Sequence, residues 1–191
     1  MGREPDTRWV MVTDTAFADL YRTHHGAICR YAARRLGPLD DDRARDVAAE
    51  VFTIAWRRRA VIPADPLPWL YGVARRVVAN ERRGLQRRQR LAQRLRAQPV
   101  SAAPLADAAG SPVLVALGHL SSADQEVLAL AAWEELGPAD IAVVLNCSRS
   151  AASMRLHRAR HRLRAALAAL HEPPPPARSE SAPGLTQECT S

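Results

Sequence analysis

Apolar residues recur at three- and four-residue steps through most of the chain. No stretch alternates with period two, so the sequence predicts helices and no sheet. From Asp14 or Thr15, the residues Phe17, Leu20, Tyr21, Ile28, Tyr31 and Leu36 keep helical spacing until Gly37-Pro38 stops the pattern. Asp40-Asp41-Asp42 opens a second helix, where carboxylates suit the positive end of the dipole, and Val47, Val51, Ile54 and Ala55 form its apolar face. Residues 61–68, VIPADPLP, hold three prolines in eight positions and predict a loop. A long helix is expected from Trp69 to about Arg96.

Periodicity vanishes over residues 97–112, AQPVSAAPLADAAGSP, whose Ala, Pro, Ser and Gly content predicts a flexible linker. Such a chain averages roughly 20–25 Å end to end, so the units it joins can sit apart. Beyond it, helices are predicted over Val113–Leu120, Ser122–Glu135 with a cap at Ser121 or Ser122, Pro138–Leu145 and Arg149–His171. Asn146-Cys147-Ser148 reads as a tight turn. The expected organisation is a flexible leader at 1–13, a helical lobe at 14–96, the linker at 97–112, a second helical lobe at 113–171 and a disordered Pro/Ser-rich tail at 172–191. The fold class is all-α, in two small lobes.

Charge sharpens this picture. The chain has 191 residues, a net charge of +7 and 27 basic residues, every one an arginine. Residues 75–96 carry nine arginines against Glu81 alone, and residues 148–164 carry six arginines and no acid. The two stripes therefore hold +8 and +6, and the remainder of the chain holds −7. Two separated basic stripes fit a polyanion contacted at two places, although solvated helix faces produce the same pattern. Guanidinium adds bidentate recognition of phosphate and guanine edges that ammonium lacks. No apolar run approaches the roughly 20 residues that span a bilayer, and the N-terminus lacks a secretory apolar stretch. Cys29, Cys147 and Cys189 are odd in number and far apart, which points to a reducing cytosol instead of a disulfide framework.

Residues 138–164 have the helix, short turn and second helix of a helix-turn-helix. In the last helix Leu156, Ala159, Leu163, Leu167 and Leu170 form the inward stripe, and Ala151, Arg155, Arg158 and Arg162 face away. Arg149 and Ser150 start the helix, where such motifs touch base edges, while later arginines reach phosphates. A plain helical hairpin with an arginine-coated face is the alternative. In the first lobe Asp46, Glu50, Thr53 and Arg57 share one polar face of their helix. Trp69 opens the next helix ahead of arginines repeating along its axis, the combination of aromatic and basic track that single-stranded DNA binding uses.

The run Met154-Arg155-Leu156-His157-Arg158-Ala159-Arg160, read with residues 122–128 (SADQEVL) and 131–142 (AAWEELGPADIA), resembles the −35-binding domain of bacterial sigma factors. The particular resemblance is to the extracytoplasmic-function (ECF) group of the sigma-70 family. Residues 46–56, DVAAEVFTIAW, resemble that family's polymerase-binding helix, and residues 68–83, PWLYGVARRVVANERR, its −10-recognition helix. The resemblance implies a sigma factor without enzymatic activity or cofactor, working in the cytoplasm with core RNA polymerase and promoter DNA, and in many relatives held by an anti-sigma factor. It implies core contacts at Asp46, Glu50, Val51, Phe52, Thr53, Trp56 and Arg57. It implies −10 contacts at Trp69, Arg75, Arg76, Asn80, Arg82 and Arg83, with a base captured by the loop near Arg59–Leu67. It implies −35 contacts at Arg149, Ser150, Ala151, Ser153, Arg155, Arg158 and Arg162. Two positions depart from the family: Ala151-Ala152 replaces a common Thr-Val, and Arg76 stands where asparagine is common.

Other constellations lead nowhere. His24, His25 and Cys29 lack a fourth ligand, and His157 and His161, spaced i, i+4, lack the glutamate of a zinc-protease helix and sit among arginines. No glycine-rich phosphate loop, serine-nucleophile elbow or two-metal acidic cluster occurs. The rival to the sigma-factor reading is a stand-alone helix-turn-helix regulator that never meets polymerase.

Overall fold

The computed structural model describes residues 13–37, 41–95 and 111–171. They form α1 (Asp14–Leu36), α2 (Asp41–Arg57), α3 (Pro66–Leu95), α4 (Pro112–Gly118), α5 (Ser122–Ala132), α6 (Pro138–Leu145) and α7 (Arg149–His171). A turn of 3-10 helix, Arg59–Val61, lies between α2 and α3. No extended β-strand occurs among the described residues. The leader up to residue 12, Asp40, the linker up to residue 110 and the tail with Cys189 lie outside them.

Local chemistry sets the helix ends. Thr13 caps α1 by accepting from the Ala16 amide, and Gly37, at φ 108°, supplies the conformation that lets the chain leave it. Ser121 caps α5 by accepting from the Asp124 amide at 3.2 Å. Asn146, at φ 51°, ends α6 in the left-handed region that asparagine tolerates. One boundary differs from expectation. The long helix α3 starts at Pro66, because Pro66 and Pro68 fall in a first turn whose amides have no intrahelical partner and so cost nothing there.

The first lobe is built from α1, α2 and α3. On α2 the buried set is Ala44, Val47, Ala48, Val51, Phe52 and Ala55, which repeats at steps of one and three and faces Ile28, Tyr31 and Ala32 of α1 and Leu70, Val73, Ala74, Val77 and Val78 of α3. Each fully buried Val, Leu or Phe side chain contributes about 1.5–3 kcal/mol. Ile62, fully buried, ties the connection between α2 and α3 to this core. In the second lobe α7 buries Ala152, Leu156 and Ala159 against α4, α5 and α6, with Leu163 half-buried. Leu170, expected in that stripe, is exposed, because α7 runs past the short helices that would cover it.

A linker of this length allows the lobes to part, yet in the structure they are closed on each other. One continuous cluster of buried side chains runs from α1, α2 and α3 into α5, α6 and α7. Helix α6 lies directly on α3, where a Cβ at Gly72 would stand 3.5 Å from the Val144 carbonyl oxygen, an ordinary van der Waals contact.

Candidate nucleic-acid and polymerase interfaces

The exposed side of α2 and the start of the following turn make the first surface. Asp46, Glu50, Thr53, Trp56 and Arg57 are exposed along it. Val51 and Phe52, expected among the contacts, are buried instead. They fall on the inward side of the helix, and Phe52 anchors an aromatic cluster. Phe17 packs edge-on to Phe52 at 6.5 Å and to Trp56 at 4.9 Å, and Tyr21 meets Phe52 at 4.8 Å. The Arg59 guanidinium lies 4.5 Å from the centre of the Trp56 ring. Trp56 is thus held rigid while 37% of the residue stays exposed, and Tyr21 beside it is 41% exposed. A half-covered aromatic held between a packed ring and a guanidinium is the anatomy of a protein-docking anchor. Phe17 and Tyr21 escaped the sequence reading as parts of this surface, although Tyr21 and Phe17 share a helix face at i, i+4.

The second surface is α3. Arg75, Arg76, Asn80, Arg82 and Arg83 are exposed, and Trp69 is half-buried. Two clefts flank this helix, both between the lobes. One, of about 530 Å³, is lined by Arg35, Arg75, Arg76, Arg82 and Arg83 on one side and by Ser122, Ala123 and Glu126 of α5 on the other. The second, of about 630 Å³, sets Trp69, Gly72 and Arg76 opposite Ala142, Val143, Cys147 and Arg149. Arg82 also binds within its own lobe, where its Nε, at 3.0 Å, and its Nη2 both donate to the Arg35 carbonyl at the end of α1. It therefore satisfies one of the orphan carbonyls of that helix.

The third surface is α7. Ser148 starts it by accepting from the Ala151 amide at 3.1 Å. Arg149, Ser150, Ser153, Arg155 and Arg158 are exposed, and Ala151 is half-buried. Arg162 departs from the expectation of a phosphate contact. Its Nη1 donates to both oxygens of Asp124, at 2.9 and 2.7 Å, pinning α7 to α5. Ser121 Oγ also donates to Asp124, at 2.7 Å, and its hydroxyl, followed by Arg162, holds that carboxyl below the usual carboxylate range.

Between the lobes lies a charged joint that the sequence reading missed. Glu126 of α5 accepts from the Tyr31 hydroxyl at 3.0 Å and from Arg35 Nε at 3.0 Å. Glu134 accepts from Arg35 Nη1 at 3.2 Å and pairs with Arg34. The Arg35 guanidinium lies 3.5 Å above the Tyr31 ring. Burial, ahead of the Glu126 carboxylate, pushes the Tyr31 phenol well above its ordinary range, and burial with Glu134 pushes Tyr71 up to about 12. Elsewhere, His25 and Cys29 approach to 3.6 Å, and among the described residues no three His, Cys, Asp or Glu side chains gather around a metal position.

Two family models match the chain. "Sigma-70 region 2" covers residues 20–88, and "Sigma-70, region 4" covers residues 112–163, together spanning all three surfaces. No curated protein matches it. Among solved structures, the chain is similar to CnrH in complex with the cytosolic domain of CnrY. The identity is 26% and the TM-score 0.54, over 82% of this chain and 90% of that one. It shares its fold with the sigma factor RpoE of Bartonella quintana, in complex with the anti-sigma factor NepR. There the identity is 20% and the TM-score 0.52, over 80% and 96% of the two chains.

Proposed function

The chain belongs to the sigma-70 family, in its ECF subgroup, and on that premise we propose how its three surfaces divide the work of directing RNA polymerase to promoters. The family consists of initiation factors, not enzymes, and we assign this chain no catalysis of its own.

The exposed face of α2, with Asp46, Glu50, Thr53, Trp56 and Arg57, docks on core RNA polymerase, with Trp56 as its anchor. Helix α3 and the turn before it hold the melted −10 strand. Trp69 offers a stacking surface, Arg75, Arg76 and Arg83 follow the phosphates, and Asn80 is placed for a base edge. Helix α7 enters the major groove at the −35 element. Arg149, Ser150 and Ser153 lie near base edges at its start, and Arg155 and Arg158 lie along the backbone. Arg162 drops out of that set as the strut that fixes α7 to α5. The observation that carries this reading is the separation of charge: Asp46 and Glu50 on the exposed face of α2, and arginine tracks on α3 and α7. RpoE and CnrH are each in complex with a partner, an anti-sigma factor and the cytosolic domain of CnrY respectively. On that ground a protein inhibitor of the same kind is assigned to this chain, and the cytoplasm is assigned as its place of work. No helix among the described residues is long and apolar enough to cross a membrane.

The test is gel filtration of the full chain with core polymerase, followed by run-off transcription on pooled genomic fragments. Co-elution and discrete transcripts are expected. Asp46→Arg with Glu50→Arg should cost at least tenfold in core affinity, about 1.4 kcal/mol, and leave duplex binding intact. A chain that binds duplex DNA yet neither co-elutes nor supports any transcript would be a stand-alone regulator.

A further inference from the structure

Two tryptophans of the first lobe have opposite surroundings. Trp56 is packed edge-on by Phe17 at 4.9 Å and covered by the Arg59 guanidinium at 4.5 Å. Trp69 rests half-buried against the core, and among the described residues no ring or guanidinium stacks on it. It opens instead onto the cleft of about 630 Å³ between α3 and the α6–α7 turn, a volume in the range of small-ligand sites. Arg58, Arg76 and Arg149 line the same cleft, from the turn after α2, from α3 and from the start of α7.

All three of these arginines are exposed, none has a hydrogen-bond or ion-pair partner for its guanidinium among the described residues, and no Asp or Glu lines the cleft. The neighbouring cleft differs: there Glu126 holds Arg35, and Arg82 donates to a carbonyl. Arginine stays charged at any physiological pH, so three together repel unless an anion joins them, and the planar fork matches phosphate oxygens in pairs. On the wall opposite Trp69, Val143 is 44% exposed and offers apolar cover. An aromatic ring facing an apolar wall takes a flat base, whatever its identity. A stacking surface and three uncommitted guanidinium groups in one cleft therefore suit a base that carries phosphates.

We infer that the cleft between α3 and the α6–α7 turn is a binding site for a free nucleoside triphosphate, with its base on Trp69 opposite Val143 and its phosphates among Arg58, Arg76 and Arg149. The site goes beyond the assignment of α3 to the −10 strand. It shares Trp69 and Arg76 with that strand, and adds Arg58 and Arg149, which the strand does not use. Arg149 is the discriminating residue, because it comes from the second lobe and is assigned to the −35 duplex. A promoter strand offers the same base-and-phosphate chemistry at Trp69, so the nucleotide and the strand exclude each other there.

The experiment is equilibrium dialysis of radiolabelled ATP against the full chain at fixed salt without magnesium, with unlabelled tripolyphosphate and adenosine as competitors. ATP is expected to bind about tenfold tighter than tripolyphosphate, because the base adds stacking to the charge contacts, and adenosine is expected not to compete. Arg58→Ala and Arg149→Ala should each cost about tenfold in ATP affinity. Trp69→Ala should bring ATP down to the level of tripolyphosphate. Arg160→Ala removes an equal charge from an exposed position outside the cleft and should change nothing. Should Trp69→Ala disturb folding, Trp69→Phe keeps a smaller ring and should retain only part of the preference for ATP over tripolyphosphate. No retained ATP, equal affinity for ATP and tripolyphosphate, undiminished binding in Arg58→Ala or Arg149→Ala, or an equal loss from Arg160→Ala overturns the proposal. A chain that holds a single strand of about 16 nucleotides through Trp69 and Arg76 but retains no ATP overturns it and leaves the −10 assignment standing. A chain that retains ATP but no single strand keeps the site and overturns that assignment instead.

Discussion

The arginines of α3 and those of α7 are two versions of one device, a helix studded with guanidinium groups and nearly free of acids. The protein treats them differently. On α7, Arg155 and Arg158 point into solvent from a helix fixed by its own lobe, and Arg162 supplies the fixing through Asp124. On α3, Arg75, Arg76, Arg82 and Arg83 are exposed too, but they line an open cleft whose far wall is α5 of the other lobe, and Arg82 also donates to the Arg35 carbonyl. Equal charge thus meets different surroundings. The comparison teaches that the neighbours of a charged track, and not its charge, set the shape of what it can hold: an open flank on α7, a cleft on α3.

The contrast is broken most forcefully on α7. Arg155→Ala with Arg158→Ala should weaken duplex binding by the full chain about tenfold to a hundredfold and lower the salt slope by about two, since each removed guanidinium is one phosphate contact fewer. Arg75→Ala with Arg83→Ala should move the same duplex measurement by less than about threefold, because their track is assigned to the single strand. Near-equal losses from the two pairs in a filter-binding titration would erase the distinction between the helices. Smaller effects sharpen it. Arg162→Ala should lower the melting stability of the protein by about 1 kcal/mol and leave the salt slope of duplex binding unchanged, because the group is exposed and its partner is not. A lost unit of slope would return Arg162 to the DNA-contact set. The smallest expected effect is in pH. The Asp124 carboxyl is depressed when folded, so its contribution is complete above about pH 4 and fades as pH falls below that. Acid titration of Arg162→Ala should show less of this loss than the unaltered chain.

Much of the fold was legible because punctuation was local. Gly37-Pro38, Ser121, Gly137-Pro138 and Asn146 mark helix ends by chemistry confined to a few residues, and the structure ends its helices there. The prolines at 66 and 68 misled because a proline inside a first turn and a proline in a loop look alike without the neighbouring amides. Of the candidate sites, residue type and helix face were legible, and occupation was not. Val51 and Phe52 lie in the stretch that resembles a polymerase-binding helix yet face inward, and Arg162 keeps arginine spacing yet serves a carboxylate 38 residues away. The joint between lobes was invisible for the same reason. Arg34 and Arg35 read as the basic end of α1, and Glu126 and Glu134 as ordinary acids of another lobe, until the chain brings them within hydrogen-bond reach. The i, i+4 placement of Tyr31 and Arg35 was the one signal available, since it stacks an aromatic under a guanidinium.

Helix α3 reaches well beyond what supports it. Its last buried residue is Val78, and after the half-buried Glu81, Gly84 and Leu85 the side chains described up to Ala92 are exposed. This outer stretch holds a glycine and places Arg83 above Arg87 and Arg87 above Arg90, like charges one turn apart, with the Glu81–Arg88 pair as an internal tie. Glycine costs about 1 kcal/mol in a helix and each such arginine pair a few tenths more, in a segment near the length at which isolated helices are marginal. Phosphates along it would remove the repulsion. Winding of these outer turns and neutralisation by a nucleic-acid backbone are therefore a single coupled equilibrium, and the helical content of the chain becomes a gauge of how much backbone it has gripped.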